Sequence, residues 1–179
     1  DKHGIFTFGD TARDAYERMI EFVTLAEARL QTNRKSVGAS IKLPAKLASA
    51  ADIAPILRGV CTQRDIYGEG AHKRQVAAFR TSDAILSFVN GTDVADYARR
   101  GLLSPDHVIR VKPWPLIVPA PEQDKLDAFK QAAQTAASAF AADYQAYYDR
   151  NKARTPGAAM HDPLPRVVLV PGLGLFGFG

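Results

Sequence analysis

The sequence holds a single cysteine, Cys61, among 179 residues. One thiol forms no internal disulfide, so a disulfide scaffold is excluded, and the usage fits a reducing cytoplasm. No apolar run approaches the ~20 residues of a membrane span. The opening lacks the basic region and long apolar stretch of a signal peptide. It also lacks a methionine, and Asp1 suggests a chain excised from something longer. Blocks of like charge are missing too. The net charge is +4, but Lys and Arg are scattered, whereas a nucleic-acid footprint needs them clustered. Neither nucleic acid nor a membrane is therefore expected as a partner. What is present is ordinary for a folded domain, with 46% hydrophobic and 23% charged residues, enough for one good core or two small ones.

The apolar spacing divides the chain into elements. Gly4-Ile5-Phe6-Thr7-Phe8-Gly9 reads as a strand, followed by a helix that opens on a capping box of Thr11 and Asp14 and carries a stripe from Tyr16 through Leu30. Residues 31–40 are polar and read as a linker. Residues 45–59 read as a shorter helix interrupted or ended near Pro55, and 61–74 as a glycine-rich, charged loop. A short strand is expected over 76–80, a helical turn or more over 82–89, a turn at Asn90-Gly91 and a short helix over 93–100 ending at Gly101. Val108 to Val111 reads as a strand. Pro113 and Pro115 make the following segment an edge strand or extended run. The strongest element is a long helix over about 122–152. Leu126, Phe129, Ala133, Ala136, Phe140, Tyr144 and Tyr147 recur there every three or four residues. A loop over 155–165 leads into a buried-type strand, 166–170. Strands separated by helices predict a layered α/β/α sandwich with a mixed sheet.

The two ends echo each other. Gly4-Ile5-Phe6-Thr7-Phe8-Gly9 aligns with Gly174-Leu175-Phe176-Gly177-Phe178-Gly179, either as a duplicated strand–turn unit or as a chance similarity of two strand ends. The second copy, with Gly172 before it, is formally G-x-G-x-x-G after a strand. A dinucleotide site requires a helix to open at the third glycine, so that its N-terminus faces the pyrophosphate. Phe176-Gly177-Phe178 does not look like a helix start, so a strand–turn–strand is expected and no nucleotide cofactor.

Two stretches carry candidate chemistry. His3 precedes a glycine and the opening strand, but the other histidines, His72, His107 and His161, lie in separate loops without ligand spacing. Zinc takes several protein ligands, so residue chemistry alone favours a capped or exposed imidazole. Ser104-Pro105-Asp106-His107-Val108-Ile109-Arg110 is the densest polar run. Asp106 could orient His107, and Arg110 or Lys112 could bind a phosphate. The competing reading is a turn with Pro105 at its first central position and Asp106 bonding locally. Arg99, Arg100, Lys73 and Arg74 read as solvated charges.

The opening KHGIFTFGDTARDAYERMIEFVTLAEARL resembles the end of a class II aldolase/adducin-like domain. In that family a histidine-glycine step precedes an apolar strand and a helix, and the histidine is the last of three ligands to a divalent metal, usually zinc. The resemblance implies that role for His3. The family's H-x-H pair and catalytic carboxylate lie upstream of this point and are not in the chain. GLLSPDHVIRVKPWPLIV and DPLPRVVLVPGLGLFGFG resemble the central part of fusions of rhamnulose-1-phosphate aldolase with a short-chain dehydrogenase.

The resemblance implies residues 1–37 as the closing strand and helix of a class II aldolase-like unit and 38–179 as a second, degenerate aldolase-like module. It implies metal-dependent retro-aldol cleavage of a ketose 1-phosphate in the longer protein. There the metal stabilises the enediolate as a Lewis acid, and NAD serves a dehydrogenase domain outside this chain. The expected partners are a sugar phosphate and further copies of the protein. The fragment itself is expected to be inactive and to hold no cofactor. The alternative is a non-catalytic scaffold or oligomerisation module. The two readings part at the 104–112 stretch, where Lys112 also lies: a ligand role survives if His107 and Arg110 line a concave pocket beside the glycine turn, and the scaffold reading wins if they are buried in a turn or splayed to solvent.

Overall fold

The computed structural model describes residues 4–32, 38–64, 72–73, 75–154 and 156–179. Helix α1, Ala12–Thr32, starts where the capping box placed it. The Asp14 amide donates to Thr11 Oγ1 and the Thr11 amide to Asp14 Oδ2, each at 3.1 Å. The strand expected over residues 4–9 does not form. A strand needs a hydrogen-bonded neighbour, and this segment instead folds back on its own helix, with the Arg18 guanidinium donating to the Phe8 carbonyl and Thr7 Oγ1 to the Ala15 carbonyl. Phe6 and Phe8 stay exposed. The linker expected over 31–40 falls largely outside the described residues.

Helix α2 spans Ala50–Val60, later than expected and straight through Pro55. Its start is fixed by a second capping box, in which Ser49 and Asp52 satisfy each other's amides. Pro55 removes one donor, but its φ suits a helix, and Ile53, Leu57 and Val60 are buried on either side of it. Two short strands follow in the stretch expected as loop: β1, Gln63–Arg64, pairs antiparallel with β2, His72–Lys73. The side chains of His72 and Lys73, with residue 74, lie outside the described set.

The main sheet takes β3 (Ala77–Arg80), β4 (Leu116–Ile117), β5 (Val167–Val170) and β6 (Gly174–Phe178) in the order β3-β6-β5-β4. The β4–β5 pair is parallel and the other two are antiparallel, so the sheet is mixed. Alternation sorts the side chains to two faces. Val168, Val170, Phe176, Phe178 and Leu116 meet α2 and the long helix α6, Leu126–Asn151. Val167, Leu169, Leu175 and Ile117 meet the other layer, α3 (Asp83–Val89) and α4 (Val94–Tyr97), around buried Val89 and Val94. The architecture is the expected α/β/α sandwich. Helix α6 is about 40 Å long at 1.5 Å per residue and buries Phe129, Ala133, Ala137, Phe140 and Tyr144, the face its spacing predicted.

The last glycines make a hairpin and not a helix start. Residues 171–173 turn between β5 and β6, with Gly172 at φ +84° and Gly174 at φ +139°. A Cβ on Gly174 would strike the Arg80 carbonyl of the neighbouring strand, so both conformation and space demand glycine there. The dinucleotide motif is thereby excluded. So is a shared structure for the two ends, because Gly174–Phe178 is a paired strand and residues 4–9 are not.

Candidate functional site

The strand expected over Val108–Val111 is a helix, α5, Pro105–Arg110. Its β-branched residues suggested a strand. Ser104 holds extended backbone at the N-cap position and Pro105 sits in the first turn, where its missing N–H costs nothing. His107 is not oriented by Asp106. Its Nδ1 lies 2.8 Å from Ser104 Oγ, one turn back, and the residue is exposed. Arg110, three residues on, lines a concave surface to which neither His107 nor the glycine turn contributes.

That surface is a cleft of about 230 Å³ between α5, α6 and the loop before β5. Arg110 and Lys112 line it, as do Tyr144, Tyr147, His161, Asp162 and Arg166, with Val108 and Ile109 at the wall. His107 does not. The loop is held in place by its prolines, with Pro165 fully buried, and by the Tyr148 hydroxyl, which donates to the Ala158 carbonyl at 2.8 Å. Asp162 receives both arms of the Arg166 guanidinium, at 3.0 and 2.6 Å, and the Leu164 amide at 3.1 Å. Lys112 is 7% exposed, the one buried polar or charged residue among those described. Its ammonium donates to the main-chain carbonyl of Asp162 at 2.5 Å and lies 4.2 Å from the centre of the Tyr144 ring.

The electrostatics follow from burial and neighbours. Burial lowers the Lys112 pKa, the nearby Asp162 carboxylate opposes this, and Arg166 adds to it, for a net depression. Burial works to raise Asp162, but the Arg166 hydrogen bonds, the charges of Arg166 and Lys112 and the Leu164 amide outweigh it and hold the carboxyl below its ordinary value. Tyr144 is raised, first by burial and then by Asp162 and Tyr147, with Arg166 opposing. One carboxylate thus stands among Arg110, Lys112 and Arg166, so the cleft carries an excess of positive charge. Sequence spacing had singled out Arg110 and Lys112 but missed Asp162 and Arg166. An acid and a base four residues apart, with Pro163 and Pro165 between them, were the available signal.

No group of three His, Cys, Asp or Glu that could hold a metal is present among the described residues, so the described donors do not make a zinc site. His3 lies outside the described residues. Cys61 is no ligand either. It is buried in the core, and burial, against a small opposing effect of Arg166, pushes its thiol up to about 12. No helix among the described residues is long and apolar enough to cross a membrane.

Known proteins supply the remaining context. Residues 48–179 match a family described as aldolase class II, second domain. The chain is 27% identical over 187 aligned positions to a Bacillus subtilis (strain 168) protein named "Uncharacterized oxidoreductase YuxG". That alignment takes in all of this chain and 26% of the relative, so the chain spans about a quarter of the relative's length. No solved structure matches. With a three-layer mixed sheet, a long covering helix and a family match through most of its length, the chain belongs to the class II aldolase second-domain family.

Proposed function

We propose that this chain is the joint of a longer cytoplasmic sugar-metabolising enzyme. Residues 1–37 complete a class II aldolase-like unit that cleaves a ketose 1-phosphate, and 38–179 form a second module without a catalytic set of its own. Aldehyde or alcohol oxidoreduction belongs to a dehydrogenase domain outside the chain, in keeping with the name of the relative. The observation that carries the reading is α1. It buries none of its 21 residues, yet Tyr16, Ile20, Phe22, Val23, Leu25 and Leu30 give it an apolar character. Helices in proteins draw most of their stability from packing such residues against a neighbour. The family match begins at residue 48, beyond α1, which supports assigning that neighbour to the upstream unit.

In this reading His3 is a ligand of a divalent metal whose other ligands lie upstream. No step is assigned to residues 38–179, whose described donors form no metal site. The test is His3→Ala in the longer protein, with cleavage, aldehyde oxidation and bound metal assayed separately. Cleavage and metal content should fall together while oxidation persists, because hydride transfer does not use the aldolase metal. Retained cleavage with normal metal content would sink the assignment. Parallel loss of both activities would reduce His3 to a structural residue.

A further inference from the structure

We infer that the cleft between α5, α6 and the 156–165 loop is a binding site for a small oxyanion, a phosphate monoester or a carboxylate, seated on Lys112 with Arg110 at its mouth. The argument starts from the cost of Lys112. A buried ammonium is expensive unless it is paired and hydrogen-bonded. At 7% exposure Lys112 is buried, yet it forms no ion pair with a carboxylate among the described residues. Its partners are a neutral carbonyl and the face of a ring. The nearest carboxylate, Asp162, is already taken by the two arms of Arg166 and by the Leu164 amide. An ammonium has three donors. The carbonyl takes one and the ring faces the charge, so donor capacity remains toward the cleft that Lys112 lines.

The surroundings define the ligand. Arg110 is exposed and lines the same cleft; its planar fork suits two oxygens of one anion. Arg166 and Asp162 line the cleft as a paired, mutually neutralising wall, so the net positive charge of the site rests on Lys112 and Arg110. Val108, Ile109, Pro113 and Tyr147 supply an apolar side on which a few carbons can rest. The volume, about 230 Å³, is below the usual range of roughly 300–1,000 Å³ for larger ligands. A nucleotide does not fit, whereas an anionic group with a short carbon chain does.

The probes are inorganic phosphate, glycerol 3-phosphate and glycerate, titrated calorimetrically into the protein at constant ionic strength. One saturable site with a Kd on the order of 1 mM is expected for at least one of them. Tighter binding of glycerol 3-phosphate than of glycerate identifies a phosphate ester as the ligand, and the reverse order a carboxylate. Lys112→Met keeps the packing stem of the side chain and should weaken binding by about tenfold or more. Arg110→Gln, at an exposed position, should weaken it by about two- to fivefold without lowering the Tm. Saturable binding of none of the three anions overturns the site, as does undiminished affinity in a folded Lys112→Met variant. If Lys112→Met does not fold, Arg110→Gln decides, and unchanged affinity there overturns the inference.

Discussion

Helices α1 and α6 are built from the same kind of sequence, and only one of them belongs to a core. Both carry apolar residues at helical spacing, and both run beyond twenty residues. Helix α6 sets Phe129, Ala133, Ala137, Phe140 and Tyr144 against the sheet and α2. Helix α1 buries nothing. The difference teaches that periodicity marks which side of a helix is apolar and leaves open which part of a protein covers it. In α6 the cover comes from strands and a helix within the matched domain. In α1, which precedes that domain, it does not.

Removing side chains breaks the comparison most directly. Phe140, 3% exposed, should cost about 3–5 kcal/mol when changed to Ala, read as a lower denaturant midpoint of the chain. Phe22 on α1, 47% exposed, should cost within about 0.5 kcal/mol. Equal losses would mean that α1 packs on the module after all.

The polar cleft beneath α6 gives a smaller effect with a pH signature. Asp162→Asn removes the charged partner of Arg166 and should cost about 1.5–3 kcal/mol near neutral pH, the range for hydrogen bonds to charged groups. The low end applies because both side chains keep about a fifth of their surface in water. The Asp162 pKa is depressed in the folded state, so its contribution is present above the ordinary carboxyl value and disappears as pH falls through the folded one. The gap between wild type and variant should therefore close in acid. A gap that stays constant with pH would assign the loss to packing.

The two capping boxes sharpen the contrast at the lowest magnitude. Ser49→Ala at the start of α2 should lower global stability by about 1 kcal/mol. Thr11→Ala makes the same chemical change at α1, but there it should speed amide exchange within α1 and leave the denaturation midpoint in place. A shifted midpoint for Thr11→Ala would show the two parts unfolding together.

Much of the fold was legible because local and tertiary signals agreed. The α6 spacing and the Val167–Val170 run each had one meaning. Where they competed, tertiary context or capping won. Val108 to Val111 looked like a strand by β-branching, and Ser104-Pro105 made it the end of a helix. Gly4 to Gly9 had strand composition but no neighbour to pair with among the described residues. In the cleft, Arg110 and Lys112 were legible because they share one short polar run. Asp162 and Arg166 lie some fifty residues further on, and no spacing rule connects them to Lys112. His107 was a candidate beside Arg110 and Lys112, but it lies outside the cleft and its ring meets Ser104 instead.

The strand order has a consequence for biosynthesis. The two inner strands, β5 and β6, follow both edge strands in the sequence, and Ala77 of β3 must wait for Phe178 to meet its partner. A chain emerging from the ribosome N-terminus first therefore exposes β3 and β4 with nothing to pair with, while α2 and α6 are already out and apolar on one side. The sheet closes in a single late event, when the Gly172–Gly174 hairpin delivers its centre. Contacts of such long sequence separation fold slowly, and unpaired edges invite aggregation meanwhile. A ribosome that pauses before residue 167 is holding the two edges of the main sheet without its centre.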